Sequence, residues 1–396
     1  GVFDWIPKAN EKSNPESKNS RHLVHMRKDE VTLPKLLRDA GYATAMAGKW
    51  HCNSMFNSPA QPQPSDAGFQ HWFATQNNAS PSHANPRNFV RNGTSVGPLE
   101  GFSCQIVANE AIDWLEGLQQ STSPTPFFLY VAFHEPHEPV ESPLDLVGQY
   151  SSTAKNQDQA QYFANVHNMD LAVGKIMDAL DRLKLAENTI VYFSSDNGPE
   201  TLLRYPAGKR SYGSPGPLRG MKLWTTEAGF RVPGIVRWPN KTPTGSVLDT
   251  PISSLDLLPT FAYLANVSLP NLEIDGMNVE SIWKGGSKPR VKPLFWFYYN
   301  ALNQQRAAMR DGKWKLIAKF DGGKLPKFEN ITTANVQQIR SAKLTDFSLY
   351  DLENDLGEEI DLAQTHTEIL SELSQKMQSI YSELVNSMHV WPEPGK

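Results

Sequence analysis

A repeated change of period constrains this chain more than any other feature. Between residues 31 and 265, short apolar runs of strand length alternate with segments whose apolar residues recur every three or four positions. YATAMAGKW, FFLYVAF, TIVYFSS and PGIVRW are the runs. The clearest helical pattern covers about residues 159–184, where Phe163, Val166, Met169, Val173, Ile176, Leu180 and Leu183 share one face. Strands alternating with helices imply an α/β fold with a largely parallel sheet, flanked by helices on both faces. FFLYVAF is apolar throughout and is therefore expected to be fully buried.

Local signals fill in the rest. Thr32 is placed to cap a helix through LPKLLRDAG, with Pro34 in its first turn and Gly41 closing it. Residues 1–30 read as a polar, irregular segment, and residues 53–100, dense in Pro, Asn, Gln and Ser, as a long excursion over the surface. A helix over about 102–119 leads into FFLYVAF, and LLPTFAYLA gives another further on. After about residue 290 the texture changes: LFWFYY, QRAAMRD and KWKLIAKF read as consecutive strands, with Asp311-Gly312 as one turn, and a helix over about 366–387 ends the chain. The division expected is a catalytic domain over 1–290 and a smaller α+β domain over 291–396.

Charge and hydropathy exclude two classes of partner. With 38 Lys+Arg against 42 Asp+Glu, the net charge of −4 lacks the basic excess a nucleic-acid surface needs. The longest apolar runs, at 127–133 and 294–299, fall well short of the ~20 residues that span a bilayer. The two cysteines, Cys52 and Cys104, are as compatible with two thiols as with a disulfide, and say little about compartment.

Open α/β sheets place their sites just beyond the carboxyl ends of the strands, and three polar clusters fall there. Lys49-Trp50-His51 comes after the first run; alone, it reads equally well as a strand running into a loop with a solvated lysine. His134-Glu135-Pro136-His137-Glu138-Pro139 ends the second, as a metal-binding histidine pair or an exposed polar loop. Asp196-Asn197-Gly198 ends the third; it offers hard oxygen ligands for calcium or magnesium, and is also good turn chemistry. A fourth segment, LRGMKLWTTEAGFRVPGIVRWP, adds Arg219, Lys222 and Arg231. Within 53–100, Trp72, His83 and Arg87 are candidate substrate contacts, with polar surface as the plainer reading.

Together, in this order and spacing, these segments resemble the type I (formylglycine-dependent) sulfatases, on the branch of arylsulfatase A-like and N-acetylgalactosamine-6-sulfatase-like enzymes. LPKLLRDAGYATAMAGKWH, PFFLYVAFHEPHEP, SSDNGP, LRGMKLWTTEAGFRVPGIVRWP and YDLENDLGEEIDLA each look like a family element, and the likeness runs from about residue 21 to near the end. The resemblance implies an alkaline-phosphatase-like (sulfatase) fold and calcium-dependent hydrolysis of a sulfate monoester, on a sulfated carbohydrate, outside the cytoplasm in the periplasm or extracellular space. It implies that Lys49 and Lys222 bind the sulfate. His51 would handle the proton of the nucleophile, and His137 would protonate the leaving alcohol or lie beside the sulfate. Asp196 and Asn197 would be two ligands of one calcium.

Two departures qualify it. The family's Cys-x-Pro-Ser-Arg motif or its Ser variant, whose first residue becomes the formylglycine nucleophile, is absent: Cys52 precedes Asn53-Ser54-Met55, and Cys104 precedes Gln105-Ile106-Val107. So is the family's Asp-Asp strand. GVFDWIP resembles the stretch that lies shortly downstream of that motif in the family. The chain is therefore expected to start beyond its own nucleophile, to be inactive alone, and to show a groove between the strands ending at Trp50 and Ser195. Glu227-Ala228-Gly229 also replaces the family's Glu-Gly-Gly, which would matter if residue 228 needed positive φ. The alternatives are a phosphomonoester or phosphodiester hydrolase of the same superfamily, which typically carries Asp-His-Gly in place of Asp196-Asn197-Gly198, and a non-catalytic protein that binds sulfated glycans.

Overall fold

The computed structural model describes residues 25–120, 125–200, 206–271, 273–328 and 331–390. Most of the polar segment expected over 1–30 lies outside them. Helix α1 (Leu33–Asp39) carries proline in its first turn. Thr32 occupies the N-cap position but does not cap; its hydroxyl donates instead to the Ala67 carbonyl at 2.5 Å. Strand β1 (Ala43–Lys49) comes next and is buried along its middle.

Residues 53–100 do not run over the surface as their composition suggests. They return to the sheet as β2 (His71–Thr75), parallel beside β1, then continue as the short antiparallel strands β3 (Val90–Arg91) and β4 (Thr94–Ser95). Phe73 and Phe89, stacked 4.6 Å apart, carry this segment into the core. Its polar residues fold it on itself: buried Asn53 donates to the Pro62 carbonyl, and buried Gln63 donates to the carbonyls of Met55 and Ser58. Side chains that bond to their own backbone replace water, so a polar sequence can be an interior one.

Helix α2 (Ser103–Gln119) leads to β5 (Phe127–Ala132), parallel to β1 on its other side. The order is β4-β3-β2-β1-β5, a mixed sheet in which only the β1–β2 and β1–β5 pairs are parallel. Helix α3 (Gln157–Arg182) packs against α2. Strand β6 (Val191–Ser194) does not join this sheet. It pairs antiparallel with β7 (Gly234–Arg237), and the one-turn helix α4 (Glu227–Phe230) lies between the two in sequence. Helix α5 (Leu257–Leu264) is next.

A cleft of about 1930 Å³ separates β5 from β6. β5 is therefore half-buried rather than fully buried, and Tyr130 is 48% exposed. β1 covers one edge, and residues along the whole strand line the cleft, although Phe69 stacks on Phe128 and Tyr130. Val166, Met169, Val173 and Ile176, the apolar stripe of α3, line the same space. The expected groove is thus bounded by β5, not directly by β1, although Trp50 at the end of β1 and Ser195 both reach it.

The C-terminal part has its own antiparallel sheet, ordered β11-β10-β9-β8, from β8 (Leu294–Phe297), β9 (Ala307–Asp311), β10 (Trp314–Phe320) and β11 (Leu344–Asp351). Gly312, at φ +60°, supplies the left-handed residue that the β9–β10 turn needs. β11 has no counterpart among the expected strands, because LTDFSLYD lacks strict alternation. Helix α6 (Thr367–Ser387) packs Met377 and Tyr381 onto Met309, Leu316 and Phe320.

Candidate active site

The five residues singled out at the strand ends, Lys49, His51, His137, Asp196 and Asn197, and Lys222 of the fourth segment all line one cleft. Lys49 ends β1. The residue before it, Gly48, has φ +114°, and a Cβ there would fall 1.9 Å from the Ala132 carbonyl oxygen. Only glycine lets β1 pass the end of β5 so closely. Lys49 Nζ donates to Asn78 Oδ1 at 3.3 Å. Asn78 is a site contact with no sequence signal, since QNNAS reads as ordinary loop.

The HEPHEP loop divides its work. His134 is no metal partner of His137: it is buried, and its Nε2 lies 2.7 Å from the Thr75 hydroxyl, which itself donates to the Asn77 carbonyl. Glu135 turns inward, accepting from the Ser103 hydroxyl and from the Cys104 N–H at 2.9 Å. Of these three, His137 is the one that keeps exposed surface at the cleft. Its Nδ1 lies 2.9 Å from the Glu138 carbonyl, which can only accept, so the ring's proton sits on Nδ1 and Nε2 presents a lone pair.

The Asp196–Asn197 turn leans on α4. Gly198 N–H donates to the Gly229 carbonyl at 3.1 Å, and a Cβ on Gly198 would fall 1.6 Å from the Ala228 oxygen. Ala228 has helical backbone without positive φ, so its methyl is tolerated; the tight glycine of this turn is Gly229. Lys222 N–H donates to the Pro199 carbonyl at 3.0 Å, which sets its segment alongside residues 196–199. Arg231 also lines the cleft but points back, 3.4 Å from Glu227 Oε2, whereas Arg219 is held by Tyr350 and the Glu358 carbonyl. The candidates in 53–100 do not reach the site. Trp72 and His83 are buried, the latter against Asn165 at 2.9 Å, and Arg87 is exposed elsewhere.

Cations crowd the cleft. Burial lowers the pKa of Lys49, with Asp196 opposing and Lys222 reinforcing the shift. His51 stands at the cleft mouth with φ +52° and a pKa lowered to about 4, through desolvation first and then Lys49, His137 and Lys222. His137 is also lowered, mainly by burial. Such a cluster favours a bound dianion or monoanion, whose charge would raise these pKa values again.

Two oxygen donors, Asp196 and Asn197, suit a hard cation. Asn197 Nδ2 is engaged by the Gly198 carbonyl at 3.0 Å, so Oδ1 is the atom left to bind. Two donors fall short of the roughly six to eight oxygens calcium takes. Among the described residues no group of three His, Cys, Asp or Glu is arranged to hold a metal. Neither cysteine suits a nucleophile. Both are free; Cys104 is fully buried against Ala108 and Ala172 with its thiol pKa pushed up, and burial raises that of Cys52 to about 11.

The cleft thus gathers two lysines and two histidines, suited to an anionic group, beside an α/β sheet that adjoins a separate antiparallel one, and the comparisons give this arrangement its class. The family model described as Sulfatase matches residues 6–267, and that described as N-sulphoglucosamine sulphohydrolase, C-terminal, matches 221–383. The chain belongs to the sulfatase family, whose enzymes hydrolyse sulfuric esters. It is 32% identical to arylsulfatase A of Homo sapiens over 88% of this chain and 70% of that one. It is 32% identical to N-acetylgalactosamine-6-sulfatase of Canis lupus familiaris over 68% of this chain and 51% of that one. Among solved structures, Ps i-CgsB in complex with k-i-k-neocarrahexaose superposes with a TM-score of 0.75 at 24% identity, covering 99% of this chain and 80% of the other. BT4656, in complex with its substrate D-glucosamine-2-N,6-O-disulfate, gives 0.63 at 18%, covering 96% and 90%.

Proposed function

We propose that this site binds the sulfate group of a sulfated carbohydrate and serves its calcium-dependent hydrolysis, in the periplasm or outside the cell. The observation that carries the reading is the convergence of Lys49, His51, His137, Lys222, Asp196 and Asn197, from four distant segments, on one cleft. The substrate class is supported by BT4656, solved with a sulfated sugar as its substrate. Lys49 and Lys222 hold the non-bridging oxygens. His137, once the bound anion favours its protonated form, donates from Nε2 to the leaving alcohol oxygen. His51, neutral in the resting cleft, accepts a proton at the nucleophile's side. Asp196 and Asn197 would supply two of the oxygens that a hard cation needs, and such a cation would offset charge on the sulfate. Residues 1–290 form the catalytic unit and 291–396 the smaller one.

The nucleophile is not supplied by either thiol, so turnover by this chain alone is expected to be negligible, while anion binding persists. Calorimetric titration with inorganic sulfate tests the site. Lys222→Ala is expected to weaken binding roughly tenfold or more, the worth of one charge-assisted hydrogen bond. Equal affinity in the variant would remove Lys222 from the site. Robust hydrolysis of an aryl sulfate by this chain with calcium present would overturn the expectation of inactivity.

A further inference from the structure

Away from the cleft, one lysine stands where a charge is least expected. Lys315 lies within β10 and has no exposed surface. Its Nζ donates to Glu227 Oε1 at 2.7 Å and lies 3.3 Å from Glu358 Oε1, and both carboxylates are as deeply buried. The ammonium also sits 4.3 Å from the ring centroid of Phe230, which stacks on Trp296 at 3.9 Å. The other Glu358 oxygen accepts the backbone N–H of Glu227 at 2.8 Å. Such a cluster is a weak source of stability, because desolvating three charges offsets most of their attraction and an apolar cluster of similar shape would hold as well. Its distinctive product is register: each partner accepts one placement of the others.

The element held in register carries the active site. Glu227 begins α4, and the Ala228 and Gly229 carbonyls are the surface on which Gly198 rests, one residue beyond Asn197. The Ala228 N–H and the Thr226 hydroxyl both donate to the Arg219 carbonyl, at 3.0 and 2.7 Å. The Arg219 guanidinium in turn holds the Glu358 carbonyl at 3.0 Å. Three residues on from Arg219, Lys222 is tied to Pro199. The segments bearing Asp196–Asn197 and Lys222 therefore both hang from a turn gripped by the C-terminal sheet.

We propose that Lys315, through Glu227 and Glu358, is a positioning residue that fixes Lys222 relative to Asp196 and Asn197, making the C-terminal sheet a structural part of the sulfate-binding site. The proposal rests on the sulfatase-site reading above. Lys315 touches no substrate and acts only through α4.

The test compares the wild-type chain with Lys315→Met and with the double variant Lys315→Met/Glu358→Gln, which removes one charge of each sign and leaves Glu227 Oε2 its contacts with Arg231 and Arg310, 3.4 and 3.7 Å away. Thermal melting, calorimetric titration with inorganic sulfate, terbium luminescence at Asp196–Asn197, and amide exchange at Gly198 and Lys222 are measured on each. The double variant is expected to melt near the wild-type temperature, yet to bind sulfate and terbium roughly 10- to 100-fold more weakly, the usual effect of losing a group that orients ligands. The Gly198 and Lys222 amides should exchange faster. A purely structural cluster would leave the affinities intact once stability is restored, so unchanged affinity and exchange in the folded double variant overturns the proposal. Should both variants fail to fold, the unmodified chain decides it: coupling is reciprocal, so saturating sulfate should slow exchange of the Glu227 amide, and no slowing overturns it. If the wild-type chain binds neither sulfate nor terbium, the sulfatase-site reading fails, while exchange at Gly198 and Lys222 still judges the positioning role.

Discussion

β10 and β5 are both rich in apolar side chains, yet they live in different surroundings. In β10, Leu316, Ile317, Ala318 and Phe320 are fully buried, because β9 and β11 cover both edges and α6 closes one face. In β5, Phe128, Leu129 and Val131 are only half-buried, although their sequence is the more continuously apolar. The difference lies in the neighbours: β5 has β1 on one side and the cleft on the other. Hydrophobicity gives a strand's tendency to be covered, and topology decides whether it is. The chemistry gathers where the covering stops.

The contrast can be broken by deletion. Phe320→Ala is expected to cost about 3–5 kcal/mol, the range for a fully buried phenylalanine, whereas Tyr130→Ala, on β5 and 48% exposed, should cost about 1 kcal/mol. Denaturant unfolding measures both, and equal losses would erase the distinction.

Acid should sharpen the same contrast. His51, His134 and His137, which line the cleft, and His83, buried behind it, have depressed pKa values, each chiefly through desolvation. Above about pH 6.5 they are neutral in both folded and unfolded chains. As pH falls from about 6.5 towards 4, the unfolded chain takes up protons that the folded one refuses, so stability present above that window is lost within it. Amide exchange at stepped pH should show β1 and β2 losing protection before β10. Simultaneous loss would mean that the two regions unfold as one.

The smallest effect concerns Lys49. Its contact with Asn78 is long and partly solvated, so Asn78→Ala is expected to weaken sulfate binding by less than about tenfold, in keeping with a hydrogen bond worth roughly 1 kcal/mol. A larger loss, read by calorimetry, would place Asn78 itself against the anion.

Neighbours also decide how much the sequence reveals. That Lys49, His51, His137, Asp196, Asn197 and Lys222 meet in one cleft is legible, because strand-end position and segment order do not depend on how the rest packs. Burial is not. Residues 53–100 look like surface, since nothing in their composition reveals that Gln63 and Asn53 bond to their own backbone, or that HWFAT adds a strand to the sheet. His83 and Trp72 read as polar surface, or at most as candidate substrate contacts, for the same reason, and both are buried. Lys315 is illegible too: within KWKLIAKF a lysine reads as the solvent face of an alternating strand, and the two carboxylates that make it interior lie 88 and 43 residues away in sequence, at Glu227 and Glu358.

The stripe of α3 that lines the cleft includes Met169, and Met177 stands close by on the same wall. Both thioethers are half-buried and reachable from the open space. Peroxide entering there would turn them into sulfoxides, larger and polar, on a surface otherwise made of Val166, Val173 and Ile176. The lining of the cleft would then change its wetting without any change in charge.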